Sequence, residues 1–317
     1  MRTHALIFAA TLAALAVAAP VASAAAPAVS TGGAAVTPST ATFTGSVDPN
    51  GHPTTYWFEY GLTASYGSRT ASLPAGSGSS AVTAAGSAAG LSANTVISYR
   101  LVAQNGDGTT RGGRRTVRTQ RAPLGLSLNA APNPVPSGSP ATLAGILTGT
   151  GNGGRQVQIF QNPFPYTGGL TPIGAPVVTN AAGGFALPIP PPAVTTQYQA
   201  RLTTSPGTAS AILTLPVAVR VSTNVQVGQR QADGVRSTRF SGHVRPGRDG
   251  AQFAVQRRSG SRWVTVGGSI TRHASASASR YELRVRVRHS GTYRVYVRIT
   301  DGNLASATGR EVAIRLR

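Results

Sequence analysis

Apolar residues recur at every second position along most of this chain, and Gly, Pro, Asn and Ser gather between the short runs. Tyr56-Trp57-Phe58-Glu59-Tyr60, Leu124-Gly125-Leu126-Ser127-Leu128, Val157-Gln158-Ile159, Leu283-Arg284-Val285-Arg286-Val287 and Val312-Ala313-Ile314-Arg315-Leu316 all follow this pattern. A period of two puts alternate side chains on opposite faces of a strand, so each run predicts a β-strand with one buried face. After residue 24 no stretch carries the period of an amphipathic helix, and the prediction is an all-β chain. Residues 75–90, rich in Gly, Ser and Ala, predict a weak edge strand or a loose loop.

Two stretches repeat one order of landmarks. In the first, Leu143-Ala144-Gly145-Ile146-Leu147 leads to Val157-Gln158-Ile159, then Gly184-Phe185, then Tyr198. In the second, Phe240-Ser241-Gly242-His243-Val244 leads to Phe253-Ala254-Val255, then Tyr281, then Tyr293. Gly145 precedes Phe185 by 40 residues and Gly242 precedes Tyr281 by 39, so a shared sandwich topology is expected for residues 122–219 and 220–317. Residues 25–121 form a further unit of similar length.

The extreme N-terminus has a different character. One arginine is followed by an apolar run from Ala5 to Ala19, too short and too alanine-rich for a membrane span, and Ala22-Ser23-Ala24 supplies the small residues signal peptidase accepts. Residues 1–24 are therefore expected to be a signal peptide cleaved after Ala24. No other segment reaches membrane length, so no transmembrane segment is expected, and the location is secreted or at the cell envelope. With no cysteine, the chain has no disulfide, thiolate metal site or lipidated cysteine, and stability must come from packed cores.

Residues 34–119 carry a more specific signature: Gly45-Ser46-Val47-Asp48-Pro49-Asn50-Gly51, Thr55-Tyr56-Trp57-Phe58-Glu59-Tyr60-Gly61 with Tyr66-Gly67, then Gly90-Leu91 through Thr95 and Tyr99-Arg100 through Asn105. This stretch resembles fibronectin type III-like modules of exported proteins from high-GC bacteria. Residues 122–219 and 220–317 resemble bacterial immunoglobulin-like modules in landmark order. The resemblance implies tandem β-sandwiches behind a signal peptide. Asp48-Pro49-Asn50-Gly51 itself reads as a turn, Pro presetting φ and Asn-Gly free to take positive values. The family usually carries a tyrosine where this chain has Ile97, so the tyrosine corner should be missing, while Ile97, Tyr99, Leu101 and Ala103 still alternate inward.

Charge changes the picture only at the C-terminal end. The chain has 29 basic residues, all arginine, against 8 acidic ones, a formal net charge of +21. Arginine without lysine is what a high-GC genome encodes, but Arg220–Arg317 alone holds 19 arginines against five acids, which codon usage does not explain.

Candidate chemistry is sparse. Residues 122–219 contain no Asp, Glu, His or Cys, which removes acid/base catalysis and side-chain metal binding there. In residues 25–121 only Asp48, Glu59, Asp107 and His52 could titrate near neutral pH, and their spacing suggests turn and surface roles. Gly149-Thr150-Gly151-Asn152-Gly153-Gly154 matches a dinucleotide-loop pattern, but a strand follows it and no acid lies about 20 residues on, so it reads as a turn. His243, His273 and His289 show no metal-ligand spacing. No enzyme activity, cofactor or metal is expected.

The positive signal is an arginine face. Alternation places Arg284, Arg286 and Arg288 opposite Leu283, Val285 and Val287, and places Arg294, Tyr296 and Arg298 opposite Tyr293, Val295 and Val297. With Ser290-Gly291 between them, the two runs predict a hairpin presenting five arginines and a tyrosine on one surface, with Arg315 and Arg317 outward on the last strand. Guanidinium groups hold phosphate or carboxylate bidentately, so a cell-wall or extracellular polyanion or polysaccharide is the candidate partner, with no specific nucleic acid. The alternative is a solvated sheet face whose arginine stems cover apolar surface. The functional expectation is a non-enzymatic secreted or cell-surface array of structural, adhesive or spacer modules. Its alternative is a binding module for envelope polyanions or polysaccharide, which the resemblance makes accessory to carbohydrate-active enzymes.

Overall fold

Alternation is realised as strands throughout the described part of the chain, residues 25–230 and 235–316 of a computed structural model. The expected signal peptide lies outside the described residues, as does Arg317. Among the described residues there is no helix, and the fold is all-β, built of β-sandwiches. The chain divides between Ala122 and Pro123 into two units.

The first unit packs a sheet of Ala28–Val36, Thr40–Asp48 and Val82–Ala89 against a second sheet centred on Thr54–Gly61 and Val96–Asn105. Segment 75–90 thus supplies an edge strand, Val82–Ala89, which lies along Thr40–Asp48. Phe43, Phe58 and Leu101 are fully buried between the sheets, each contributing about 1.5–3 kcal/mol through burial. Phe43 stacks on Tyr99 with ring centroids 4.6 Å apart. The Asp48–Gly51 turn forms as its residues dictate: Asn50 and Gly51 take positive φ, and the Asn50 amide donates to Asp48 Oδ1 at 3.0 Å.

At the corner before Val96–Asn105, Ile97 is buried in line with Tyr99, Leu101 and Ala103. The loop that a corner tyrosine would pin is held by Thr119 instead. Its hydroxyl donates to Ser92 O at 2.7 Å and accepts from the Thr95 amide at 2.9 Å.

The second unit contains two sandwiches of the same topology. In one, Ala141–Thr148 and Gly184–Ile189 pair in one sheet, and Gln156–Pro163 and Thr196–Leu202 form the centre of the other. In the next, Arg236–Arg245 and Ala278–Val287 pair in one sheet, and Gln252–Ser259 and Gly291–Arg298 centre the other. The Gly149–Gly154 stretch is the turn between two of these strands, with Gly149, Gly151 and Gly154 at positive φ.

The repeated landmarks acquire a physical meaning here. Gly145 stands directly opposite Phe185, and Gly242 directly opposite Tyr281. Each aromatic ring fills the space left by the missing side chain on the neighbouring strand, which fixes the register of the pair. The two sandwiches also share one continuous apolar core and are joined by backbone. The Val219 amide donates to Ala305 O (3.1 Å), Ala305 to Val217 O (2.8 Å) and Thr195 to Asn303 O (2.8 Å), with Leu304 buried among them.

The predicted hairpin does not form. Ala278–Val287 lies between Arg236–Arg245 and Arg272–Ser275, whereas Gly291–Arg298 lies beside Gln252–Ser259 in the facing sheet. The chain arches from one sheet to the other through residues 288–290. Alternation could not distinguish these outcomes, because strands side by side in one sheet and strands face to face across a core bury the same alternate residues.

Candidate functional site: an arginine-lined sheet face

The arch splits the expected surface in two. Arg284 and Arg286 project from the outer face of the Arg236–Arg245/Ala278–Val287 sheet. Arg294, Tyr296 and Arg298 project from the outer face of the other sheet, and Arg288 is exposed in the connection between them. Arg315 is exposed just beyond the strand Val312–Ile314, which pairs with Gly291–Arg298.

The face carrying Arg284 gains residues that the alternation of a single strand did not reveal. In Arg236–Arg245, Thr238, Phe240 and Val244 are buried, which turns Arg239, Ser241 and His243 outward. In Ala278–Val287, Tyr281, Val285 and Val287 are buried, and Arg280, Glu282, Arg284 and Arg286 face solvent. Register then builds rows across the sheet: His243 opposite Arg280 and Arg280 opposite Arg272; Ser241 opposite Glu282; Arg239 opposite Arg284. An open groove of about 790 Å³ runs over these rows, with Arg239, Arg272, Arg280, Arg284 and His243 in its wall and Glu282 as its only acid among the described residues.

Like charges directly opposite on neighbouring strands repel, and Glu282 relieves part of this. Arg239 grips it with two parallel bonds, Nε to Oε1 at 2.7 Å and Nη2 to Oε2 at 2.6 Å. These bonds hold the Glu282 carboxyl below the usual carboxylate range, helped by the charges of Arg239, Arg284 and Arg280 and opposed by partial desolvation. The row His243, Arg280, Arg272 contains no acid. Beneath the groove, Tyr281 donates its hydroxyl to Ser222 O at 2.7 Å and lies 2.9 Å from Thr223 Oγ1. Burial pushes this phenol up to about 12, although its bond to Thr223 acts in the opposite direction, so it stays a neutral strut.

The other face is occupied differently. The Arg294 guanidinium lies 4.0 Å from the Trp263 ring centroid and its Nε donates to Gln256 Oε1 at 2.9 Å, so the side chain is held down against its own sheet. A shallower groove of about 480 Å³ beside Tyr296 and Arg298 is floored by Ala254 and Gly268. The arginines expected to act together are thus divided, Arg284 and Arg286 on one sheet face and Arg294 and Arg298 on the other.

One further constellation has the residue types of a hydrolase. Asp249 accepts a short hydrogen bond from the Ser279 hydroxyl, and its other oxygen lies 3.1 Å from His273 Nδ1. The order is wrong for nucleophilic catalysis. The serine donates to the carboxylate and not to the imidazole, and Ser279 is fully buried, so no substrate carbonyl reaches it. The Ser279 hydrogen bond holds the Asp249 carboxyl below its ordinary value against partial desolvation, with His273 adding to the effect. This arrangement pins loop 246–250 to the sheet.

In Arg239, His243, Arg272, Arg280 and Glu282 the sequence did hold a signal, unread until register was known. Gly242 stands opposite Tyr281, and the rows His243–Arg280, Ser241–Glu282 and Arg239–Arg284 follow from that register.

No family model matches the chain, and no curated protein matches it. Among solved structures, a tetra-tandem repeat in the extending region of a large adhesion protein matches 92% of this chain and 75% of its own length, at 15% identity and a TM-score of 0.30. The chicken CNTN1 FN1–FN3 domains match 91% of this chain and 98% of their own length, at 14% identity and a TM-score of 0.31. At these scores neither likeness carries an argument about function.

Proposed function

We propose that this chain is an exported, non-enzymatic array of β-sandwich modules, in which residues 220–317 hold an extracellular polyanion against the Arg236–Arg245/Ala278–Val287 sheet face. The observation that carries the reading is the groove itself, where four arginines and a histidine line one open surface with, among the described residues, a single carboxylate. A structural face would be expected to alternate charges on neighbouring strands; here Arg239 stands opposite Arg284 and Arg272 opposite Arg280. Residues 122–219, without acids and with only Arg155 and Arg201 as bases, fit a spacer role.

The test is a salt titration of the full chain on a heparin-like polymer. Affinity should fall steeply with salt as counterions released on binding are paid back. Changing Arg280 and Arg284 together to Gln should lower the log–log slope by about one per arginine. The matched change of Arg258 and Arg298, on the other sheet, should leave the slope nearly intact. Equal losses from both pairs would show adsorption by bulk charge and remove the site.

A further inference from the structure

The geometry points to Glu282 as a charge-spacing filter, making the groove selective for an acidic polysaccharide that carries its charges on alternate units. This rests on the polyanion reading and adds to it the ligand class and the residue that sets it.

The cationic side chains are not spread evenly along the groove. Arg280, with Arg272 and His243 directly beside it, forms one anion position. Arg284 forms the other, while Arg239 opposite it is bound to Glu282. Arg284 lies four positions beyond Arg280 along one strand, about 13 Å at the rise of an extended chain. Midway between them, about 7 Å from each position, the outward residue is Glu282.

Glu282 stays ionised, because Arg239 holds both its oxygens and the flanking arginines favour its charge. Its outward neighbour on the adjoining strand is Ser241, and beyond that Asn224, both uncharged hydrogen-bonding groups that also line the groove. The surface therefore reads as cation, then an Arg239–Glu282 ion pair with no free charge beside polar neutral groups, then cation. A chain with an anion at every unit puts one of them over Glu282. A chain alternating a uronate with a neutral sugar places hydroxyls and amides there, which Ser241 and Asn224 can meet. Duplex DNA carries a charge for about every 1.7 Å of its axis and matches this spacing worst.

Four versions of the full chain test this: the unchanged protein, Glu282→Gln, Arg239→Gln and Glu311→Gln. Each is titrated at matched charge concentration with hyaluronan, which has one carboxylate per disaccharide, with linear polyphosphate and with duplex DNA. The unchanged protein should favour hyaluronan over the two dense polymers beyond what their charge density predicts. Glu282→Gln should raise polyphosphate affinity about tenfold more than hyaluronan affinity, because it releases Arg239 as a further cation between the two positions, a gain of about one charge pair near a surface. Arg239→Gln, which disturbs the same ion pair but keeps the carboxylate, should preserve the preference, so a packing effect of breaking the pair is separated from the filter. Glu311→Gln removes one acid elsewhere and should leave the ratio unchanged. If Glu282→Gln and Glu311→Gln raise all affinities alike, or if the unchanged protein binds DNA most tightly, the filter is overturned while the polyanion site stands. If no polymer binds in a salt-sensitive way, the polyanion reading falls and the filter with it.

Discussion

Replacing Gly242 with alanine is expected to cost the second unit at least about 3 kcal/mol, because the added methyl has nowhere to go. A Cβ there would sit 1.9 Å from Ser222 O and 2.8 Å from the Tyr281 hydroxyl, the two atoms that hydrogen-bond each other beneath the groove. Relieving the clash means moving the Ser222 backbone or breaking that bond, and either exposes a buried polar group. Gly145→Ala should behave similarly, since its Cβ would lie 2.1 Å from Ser127 O and 2.5 Å from the Phe185 ring. Gly207→Ala is the comparison: the position is exposed, within the Ser205–Ala209 strand, and no atom lies within 4 Å of the added carbon. Thermal unfolding should show drops of about 6–12 °C for the first two and almost none for the third. A cost under about 1 kcal/mol for Gly242→Ala would mean that the strands can part without loss, and that the Gly–aromatic pairing does not set register.

Phe240→Ala should cost about 3–5 kcal/mol, the usual range for deleting a fully buried ring. Phe240 is fully buried and its ring centroid lies 6.2 Å from that of Tyr293 in the facing sheet, so its loss opens a cavity between the two layers. The effect should also reach residues 123–219. The two sandwiches of the second unit share one apolar core and exchange backbone hydrogen bonds around Ala305. Differential scanning calorimetry of the full chain should therefore show the whole transition of residues 123–317 moving to lower temperature. A component of that transition left in place would show that the shared core does not couple the sandwiches.

The alternation of Ile97, Tyr99, Leu101 and Ala103 was readable because each strand had to bury one face, and all four are buried. The turn at Asp48–Gly51 was readable because only Asn and Gly take positive φ cheaply. The anchoring of that corner by Thr119 was not, since it depends on a residue 24 positions beyond Thr95.

The sequence by itself determined the all-β fold, the strands and which side of each strand carries arginine, because these depend on a period of two and on local turn chemistry. The spacing of Gly242 and Tyr281 marked a repeat of topology, and the pairing of Arg236–Arg245 with Ala278–Val287 came with the structure. Tertiary structure alone decided which arginines meet. Arg284 and Arg294 occupy like positions on strands adjacent in the chain, yet one sheet carries the first and the facing sheet the second. Burying an alternate face constrains what points inward and leaves open whether the next strand lies beside or across. That choice was settled by the partners each strand found, and it gave Arg284 the company of Arg239, Arg280 and Glu282 while committing Arg294 to Trp263.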